Sequence, residues 1–256
     1  MIARANCVAD DWGMSRGVNA GILKLCELGV VQCVSMFGNL TGVEHGLDAL
    51  LRIERLRFSL HLNFTYGRPL SPPGEVSSLC RPNGFFPDFP AFLGRAVRGR
   101  LSPADLRLET RRQIRRLREL GVPLTGVEGH HHVHLIPSVF AGIAPVLAEE
   151  GIEWLRLPAD SGHLPSFALG LAFRGWSRVR AAKSPRLVRT LYLRGRDYGS
   201  ARRLEKKLRN RRGLPAIAHP AEYVDDARNA EDFADPYQTE RVGEFRALMD
   251  WSRMPR

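Results

Sequence analysis

Four short segments place carboxylates or imidazoles where an apolar, strand-like run ends, and they constrain the fold more than any other feature of the chain. They are Asp10-Asp11, His61, the histidine run from Glu128 to His134, and His219-Pro220. The ends of separate strands converge only at one edge of a parallel α/β sheet or barrel, where such folds build their sites. Converging carboxylates and imidazoles form the ligand set of a divalent metal such as zinc. The chain is therefore predicted to be a metal-dependent hydrolase.

Apolar strand-like runs alternate with amphipathic stretches along the chain, which is the pattern of repeated βα units. We predict strands over residues 2–9, 31–37, 58–62, 126–129, 154–157 and 216–218. We predict helices over residues 15–28, 42–52, 102–120, 137–150, 167–183, 200–212 and 238–251. About six or seven βα units favour an α/β fold, an irregular TIM-like barrel that forms a single domain over residues 1–256. A doubly wound open sheet stays the alternative, because periodicity does not separate the two.

The composition is that of an ordinary soluble globular protein, with 44% hydrophobic and 25% charged residues. No apolar run approaches the roughly 18 residues that a membrane span needs. The N-terminus begins a predicted strand, which is not the pattern of a signal peptide. The four cysteines have no metal-type spacing and are predicted to be reduced. These features favour a cytoplasmic protein.

The net charge of +11 is concentrated in one segment. Residues 176–212 contain 14 Lys and Arg against two acids, a net of +12, so the rest of the chain carries −1. An apolar stretch over residues 167–176 precedes this segment. Together they suit an anionic membrane surface, such as the inner membrane face, or a lipid-linked or phosphorylated sugar. A solvated helical cap is the plainer interpretation.

A nucleic-acid-binding protein is the alternative from a different class, and the same basic segment would carry it. That function predicts binding that weakens steeply with salt. The segment has few interleaved aromatic residues and no recognisable binding module. We therefore expect no nucleic acid partner.

The adjacent carboxylates of Asp10 and Asp11 indicate a division of labour. Neighbouring residues on a strand point to opposite faces, so both reach one site only where the strand turns. Trp12-Gly13 is predicted to supply that turn. One carboxylate would then hold the metal and the other would act as a base. A cap for the helix that starts at Ser15 is the structural alternative.

His61 and His219 each follow a predicted strand. His61 alternates with apolar residues and shares the polar face of its strand with Asn63, so that face is expected to line a barrel or pocket. A long loop over residues 66–90, rich in proline and glycine, lies on the same side and is expected to shape the substrate pocket. His219 would hand a proton to a leaving group. A histidine that merely occupies a strand exit is the alternative.

The histidine run gives the strongest single signal. In an extended segment, His130, His132 and His134 share one face, and His131 takes the other. Beside Glu128, a His-x-His pair is the obvious set of metal ligands. Another metal-dependent amidohydrolase or a phosphoesterase is therefore an alternative, with a site centred on His132 and His134.

With these segments assembled, the chain resembles the YdjC-like carbohydrate deacetylases, the family of the chito-oligosaccharide deacetylase and of a type associated with hopanoid biosynthesis. The resemblance runs nearly from end to end. It rests on the order and spacing of five motifs: VADDWGMSRGVNAGI from Val8, HLNFTYGRPLS from His61, GHHHVHLIP from Gly129, LRLP from Leu155 and HPAEYVDD from His219.

The resemblance implies an irregular TIM-like barrel and metal-dependent removal of an acetyl group from an N-acetylated sugar. It implies one divalent ion, zinc or magnesium, with the ligands Asp11, His61 and His130. Asp10 would be the general base and His219 the general acid. Five further residues would support the ligands or contact the substrate: Asn63, Glu128, His132, His134 and Arg156.

Two details of the resemblance concern this chain in particular. The family usually carries Asp at the position of Glu128, so this chain departs from the pattern with a longer side chain. Some relatives form dimers, which makes a homodimer a further state to consider.

Overall fold

Seven parallel strands close into a barrel in the computed structural model of the chain. The structure describes residues 7–158, 185–192, 198–209, 216–221 and 238–254. The strands are β1 Cys7–Trp12, β2 Val31–Phe37, β3 Arg57–Leu62, β4 Leu124–Gly129, β5 Trp154–Pro158, β6 Arg186–Tyr192 and β7 Ala216–Ala218. Each strand pairs with the next in sequence, and β1 also pairs with β7. This closure confirms the predicted α/β barrel and excludes the open doubly wound sheet.

Helices surround the barrel. They are α1 Arg16–Glu27, α2 Leu47–Leu51, α3 Phe89–Val97, α4 Pro103–Glu119, α5 Pro137–Glu149, α6 Ala201–Arg209 and α7 Gln238–Ser252. Short 3-10 turns cover Thr41–Glu44, Ser77–Leu79 and His130–Leu135. Of the helices that the structure describes, none has both the length and the apolar character to cross a membrane.

Side-chain caps start the helices where the sequence predicts. The Ser15 hydroxyl accepts the backbone N–H of Val18 and begins α1. The Ser102 hydroxyl accepts the N–H of Asp105 and begins α4, with Pro103 in the first turn. Both arrangements satisfy N–H groups that the helix itself leaves unpaired.

Two elements were missing from the sequence prediction. Strand β6 has exposed arginines, Arg186 and Arg189, and this disguised its role, yet it pairs with both β5 and β7 and completes the barrel. Helix α3 has Pro90 in its first turn and Gly94 in its middle, so it looked like the end of a loop; Asp88 caps it. The predicted helix over 42–52 is a 3-10 turn followed by the short α2.

Part of the basic segment lies within the described residues. In α6, Leu204 and Leu208 are buried, whereas Arg202, Arg203 and Lys206 face solvent. The predicted helix over 167–183, the apolar stretch over 167–176 and residues 210–212 lie outside the described part of the chain.

Candidate metal centre and active site

A bulge in β1 brings the two adjacent aspartates to the same end of the barrel. The register of β1 against β2 shifts between Ala9 and Trp12, and Asp11 has a left-handed backbone with φ of 70°. The predicted turn at Trp12-Gly13 is present directly after the bulge: the Met14 N–H donates to the Asp11 carbonyl at 3.0 Å, and Gly13 has a φ of 100°. A bulge lets consecutive side chains share one face, which a regular strand forbids.

Asp11, His61 and His130 converge at the carboxyl ends of β1, β3 and β4. Asp11 Oδ1 lies 3.0 Å from His61 Nε2 and 3.4 Å from His130 Nδ1. The two imidazole nitrogens lie 3.2 Å apart. Phe37 packs edge-on against both rings, with centroid distances of 4.9 and 5.2 Å. The three side chains that the family resemblance implied as ligands therefore meet at one point.

The donor atoms of this cluster fit a divalent cation. Ligand atoms about 2.1 Å from an ion are about 3.4 Å apart in a tetrahedron and about 3.0 Å apart in an octahedron. The observed separations of 3.0 to 3.4 Å span these values. Moreover, Asp11 Oδ1 is buried and receives no hydrogen bond of ordinary geometry from the described residues. A buried carboxylate oxygen in this state fits a metal ligand.

The surroundings of His61 and His130 favour the protonation states that bind a metal. Ser35 Oγ lies 3.0 Å from His61 Nδ1, so a proton on Nδ1 can be donated to Ser35 while Nε2 stays free to bind metal. Burial lowers the pKa of His130, and the carboxylate of Asp11 only partly opposes this shift. The neutral imidazole, which is the form that binds a metal, is therefore favoured.

Asp10 is held by Arg156 at the base of the site. The Arg156 guanidinium donates to both carboxylate oxygens of Asp10, at 2.5 and 2.8 Å, and also pairs with Glu128 Oε2. Ser59 donates to Glu128 Oε1 at 3.0 Å. One buried arginine thus ties the Asp10 carboxylate to the Glu128 carboxylate. The longer Glu128 side chain therefore reaches Arg156 and does not join the Asp11 cluster.

The surroundings of both aspartates favour ionisation. Burial alone would raise the pKa of Asp10, but the Arg156 guanidinium reverses that effect, and His61 and His219 add to the reversal. Burial also opposes the charge on Asp11, yet Arg241 with the two imidazoles holds the pKa of Asp11 well below its usual range. Asp10 is therefore an ionised carboxylate that can accept a proton.

His219, at the carboxyl end of β7, lies beside Asp10. Its Nε2 atom is 3.7 Å from Asp10 Oδ2, and its side chain is about one quarter exposed. Its backbone N–H donates to Glu244 Oε2 at 2.8 Å. A partly exposed imidazole beside a buried carboxylate is accessible to a substrate.

The histidine run is not extended, which corrects the sequence prediction. His131 and His132 have left-handed backbones with φ of 52° and 55°, and residues 130–135 form a tight turn. Val133, His134 and Leu135 are all buried within this turn. The predicted alternation of faces is consequently lost, and the four histidines point to different surroundings.

His132 and His134 do not converge as a His-x-His pair. His134 Nε2 lies 3.0 Å from the carbonyl oxygen of Arg156, and burial lowers the pKa of His134 to about 4. The ring of His132 is 6.2 Å from that of His134. Among the described residues, neither imidazole belongs to a cluster with metal-ligand spacing. His131 contacts Thr65 Oγ1 at 3.0 Å and packs on Phe89.

Asn63 anchors the loop that follows β3. Its side-chain nitrogen donates to Asn39 Oδ1 and to the carbonyl of Tyr66, while its oxygen accepts the N–H of Thr65. The side chain is fully buried. Its contacts are those of a residue that shapes the loop beside the site.

Arg241 and Glu244 of α7 also reach the site, and the sequence interpretation missed both. Arg241 donates to Asp11 Oδ2 at 2.7 Å. Neither residue stands in a recognisable motif, and both lie more than 80 residues after the other site residues except His219. The only hint in the sequence is a charged pair three residues apart in a helix that follows the last predicted strand.

The comparisons with known proteins cover most of the chain. A family model described as YdjC-like protein matches residues 7–252. A carbohydrate deacetylase of Mus musculus is 36% identical over 156 residues, or 60% of this chain and 50% of that protein. A carbohydrate deacetylase of Geobacillus stearothermophilus is 37% identical over 150 residues, or 59% of this chain and 56% of that protein. The matched part therefore spans about half the length of these relatives.

Two further comparisons are longer. A chitooligosaccharide deacetylase of Escherichia fergusonii is 29% identical over 238 residues, or 91% of this chain and 86% of that protein. The crystal structure of a proposed cellobiose-phosphate cleavage protein from Enterococcus faecalis V583 covers 95% of this chain and 91% of that one, with a TM-score of 0.70 and 18% identity. That structure has the same fold. The barrel, the cluster at its carboxyl end and the extent of the family match lead to one conclusion: this chain belongs to the YdjC-like family.

Proposed function

We propose that the protein is a metal-dependent carbohydrate deacetylase, which hydrolyses the acetamide of an N-acetylglucosamine-type oligosaccharide or glycolipid. The observation that carries the proposal is the approach of Asp11 Oδ1, His61 Nε2 and His130 Nδ1 to within 3.4 Å of one another, beside the Asp10–His219 pair. The names of the relatives, carbohydrate deacetylase and chitooligosaccharide deacetylase, support the same substrate class.

In this proposal Asp11, His61 and His130 hold one divalent ion, zinc or magnesium. When bound, such an ion supplies a Lewis acid that polarises a carbonyl and makes water more acidic. The buried walls of the site, including Phe37, limit access of other water and strengthen local electrostatics.

Asp10 and His219 then divide the proton transfers. Asp10 takes a proton from the water that attacks the acetyl carbon, and Arg156 keeps the Asp10 carboxylate ionised and oriented for this step. His219 gives a proton to the nitrogen of the departing amine as the C–N bond breaks. The products are acetate and a sugar with a free amino group.

The test is acetate release from N-acetylglucosamine oligosaccharides by chelated protein that is then reloaded with zinc, magnesium, manganese or cobalt. We expect no release from the chelated protein and restored release with at least one metal. Metal binding without acetate release from any oligosaccharide or lipid-linked N-acetylated sugar would contradict the proposed function.

A further inference from the structure

Helix α7 reaches the ends of both β1 and β7 through two buried charged side chains. Arg241 donates to Asp11 Oδ2, and Glu244, three residues later, accepts the backbone N–H of His219. Residues three apart lie on one face of a helix, so a single helix face contacts both halves of the site. The backbone of Arg241 also accepts the N–H of Ala221 at 3.2 Å, which ties α7 to the chain after β7.

Charged groups at these two positions are costly. Arg241 is 4% exposed and Glu244 is 9% exposed. Removing a charged group from water is unfavourable, and apolar residues of similar volume can often replace buried charged groups without loss of stability. Contacts with site residues offset this cost: Arg241 donates to Asp11, and Glu244 accepts from His219.

Arg241 determines which oxygen of Asp11 faces the cluster. Its Nη2 atom, 2.7 Å from Oδ2, occupies one carboxylate oxygen. The other oxygen, Oδ1, is then directed toward His61 and His130. Partners behind a metal ligand fix its orientation in this way and raise the affinity of the site.

Glu244 fixes the exit of β7. Its Oε2 atom accepts the His219 N–H at 2.8 Å and lies 4.0 Å from His219 Nδ1. The opposite ring nitrogen, Nε2, then faces Asp10 at 3.7 Å. Without the Glu244 carboxylate as an acceptor, the backbone of His219 would be held less firmly, and its imidazole could turn away from Asp10.

We propose that α7 is the positioning element of the site, with Arg241 the positioning residue for the metal ligand Asp11 and Glu244 the positioning residue for the proton donor His219. The second half rests on the proposed deacetylase function. The first half concerns metal affinity alone.

The experiment compares Arg241→Met and Glu244→Met with matched exposed positions on the same helix, Arg246→Met and Glu240→Met. The affinity for Co²⁺ and Zn²⁺ is measured by chelator competition, the visible spectrum of bound Co²⁺ reports the coordination, and acetate release gives kcat and KM. We expect Arg241→Met to weaken metal binding by about 10- to 100-fold and to change the Co²⁺ spectrum. Glu244→Met is expected to keep the metal affinity within about twofold and to lower kcat by about tenfold or more, with KM unchanged.

Conservative variants separate positioning from a loss of folding. Arg241→Lys keeps the charge and is expected to recover part of the metal affinity, and Glu244→Gln keeps an oxygen acceptor and is expected to recover part of kcat. Wild-type affinity and spectrum in Arg241→Met would overturn the first half. Equal loss of metal affinity in both methionine variants, or an unchanged kcat in Glu244→Met, would overturn the second.

Failure of the proposed function gives a different result. Wild-type protein that binds metal and releases no acetate would remove deacetylation, whereas the affinity measurements would still decide the role of Arg241. Hydrogen exchange of the His219 amide then decides the role of Glu244. We expect faster exchange at His219 in Glu244→Met and wild-type exchange in Glu240→Met, and equal exchange in both would overturn the assignment.

Discussion

At the scale of single residues, side chains of the same type have different partners in the site. This holds for two aspartates and for two histidines. Asp10 and Asp11 are adjacent in sequence, yet Asp10 is held at both oxygens by Arg156 and Asp11 keeps one oxygen toward the imidazoles. His130 and His134 also differ, because the first faces Asp11 and the second contacts a main-chain carbonyl. Environment therefore assigns the roles within each pair.

Because Asp10 and Asp11 have different partners, substitution of Asp10 should impair turnover and substitution of Asp11 should impair metal binding. Asp10→Asn removes the proton acceptor but leaves Asp11, His61 and His130 in place. We expect kcat for acetate release to fall by about 10²- to 10⁴-fold, with metal affinity within a few fold of wild type. Asp11→Asn is the contrasting variant and should lose most of its metal affinity. Retained turnover in Asp10→Asn would remove Asp10 as the base.

His134 predicts a pH dependence of stability. Burial lowers its pKa to about 4 in the folded state from 6.5 in the unfolded state, so the unfolded chain binds the proton more readily as the pH falls. The stability that neutral His134 contributes to the folded protein is thus fully present above pH 6.5 and is lost as the pH falls from 6.5 to 4. From pH 7 to 5 the loss is about 2 kcal/mol.

Urea unfolding in the presence of a chelator measures this contribution, because no metal then competes for protons. His134→Gln keeps a donor for the Arg156 carbonyl and has no group that titrates in this range. Its free energy of unfolding should fall by about 2 kcal/mol less than that of wild type between pH 7 and 5. Equal losses in the two proteins would contradict a buried neutral His134.

At the scale of elements, α4 organises the loop over residues 66–90 that lies beside the site. Both carboxylate oxygens of Glu109 accept backbone N–H groups of the loop, from Leu70 at 3.0 Å and Ser71 at 2.9 Å. Gln113 of the same helix donates to Glu109 and to the carbonyl of Asn63. A helix on the outside of the barrel therefore fixes the loop from beneath.

Removal of this anchor should destabilise the loop. Glu109→Ala leaves the two backbone donors of Leu70 and Ser71 without their acceptor and removes one of the two hydrogen bonds of the Gln113 amide, which is expected to cost about 3 kcal/mol of unfolding free energy. Limited proteolysis should then cut within residues 66–90 faster than in wild type. The control is Glu119→Ala, an exposed position on α4, which should stay within about 0.5 kcal/mol of wild type. Equal protease resistance in both variants would contradict the anchoring role.

At the scale of the whole molecule, closure of the barrel brings residues of distant sequence positions to one end. The site combines β1 with α7, more than 220 residues later, and β3 with β4. Close packing between strands makes this closure possible. Gly126 of β4 lies against the Trp154 indole of β5, and an added Cβ would be only 2.0 Å from the ring.

A methyl group at this contact should therefore disturb the barrel as a whole. Gly126→Ala forces Trp154 or the strand to move, and overpacking of this kind costs about 3 kcal/mol. Gly243→Ala is the matched control, because an added Cβ there has open space on α7 and should stabilise the protein by about 0.5 to 1 kcal/mol. Thermal unfolding distinguishes the two. A Gly126→Ala protein as stable as wild type would show that β4 and β5 tolerate a wider separation.

The sequence by itself determined the class of fold and the residue types of the site. Hydrophobic periodicity located six of the seven strands and the helices with strong caps, because these depend on local patterns such as Ser15 before α1. The positions of the motifs at parallel strand ends predicted one shared rim. The ligand set Asp11, His61 and His130 came from the family resemblance, since the residue pattern alone favoured a His-x-His pair.

Only the tertiary structure decided the remainder. Strand β6 was identified by its partners on both sides, since its exposed arginines hide the usual strand pattern. The turn at His131 and His132 leads into the buried residues Val133 and Leu135, and the bulge at Asp11 forms against β2. Arg241 and Glu244 reach the site because α7 lies beside the ends of β1 and β7. These features depend on contacts between distant parts of the chain, which no local pattern of residues records.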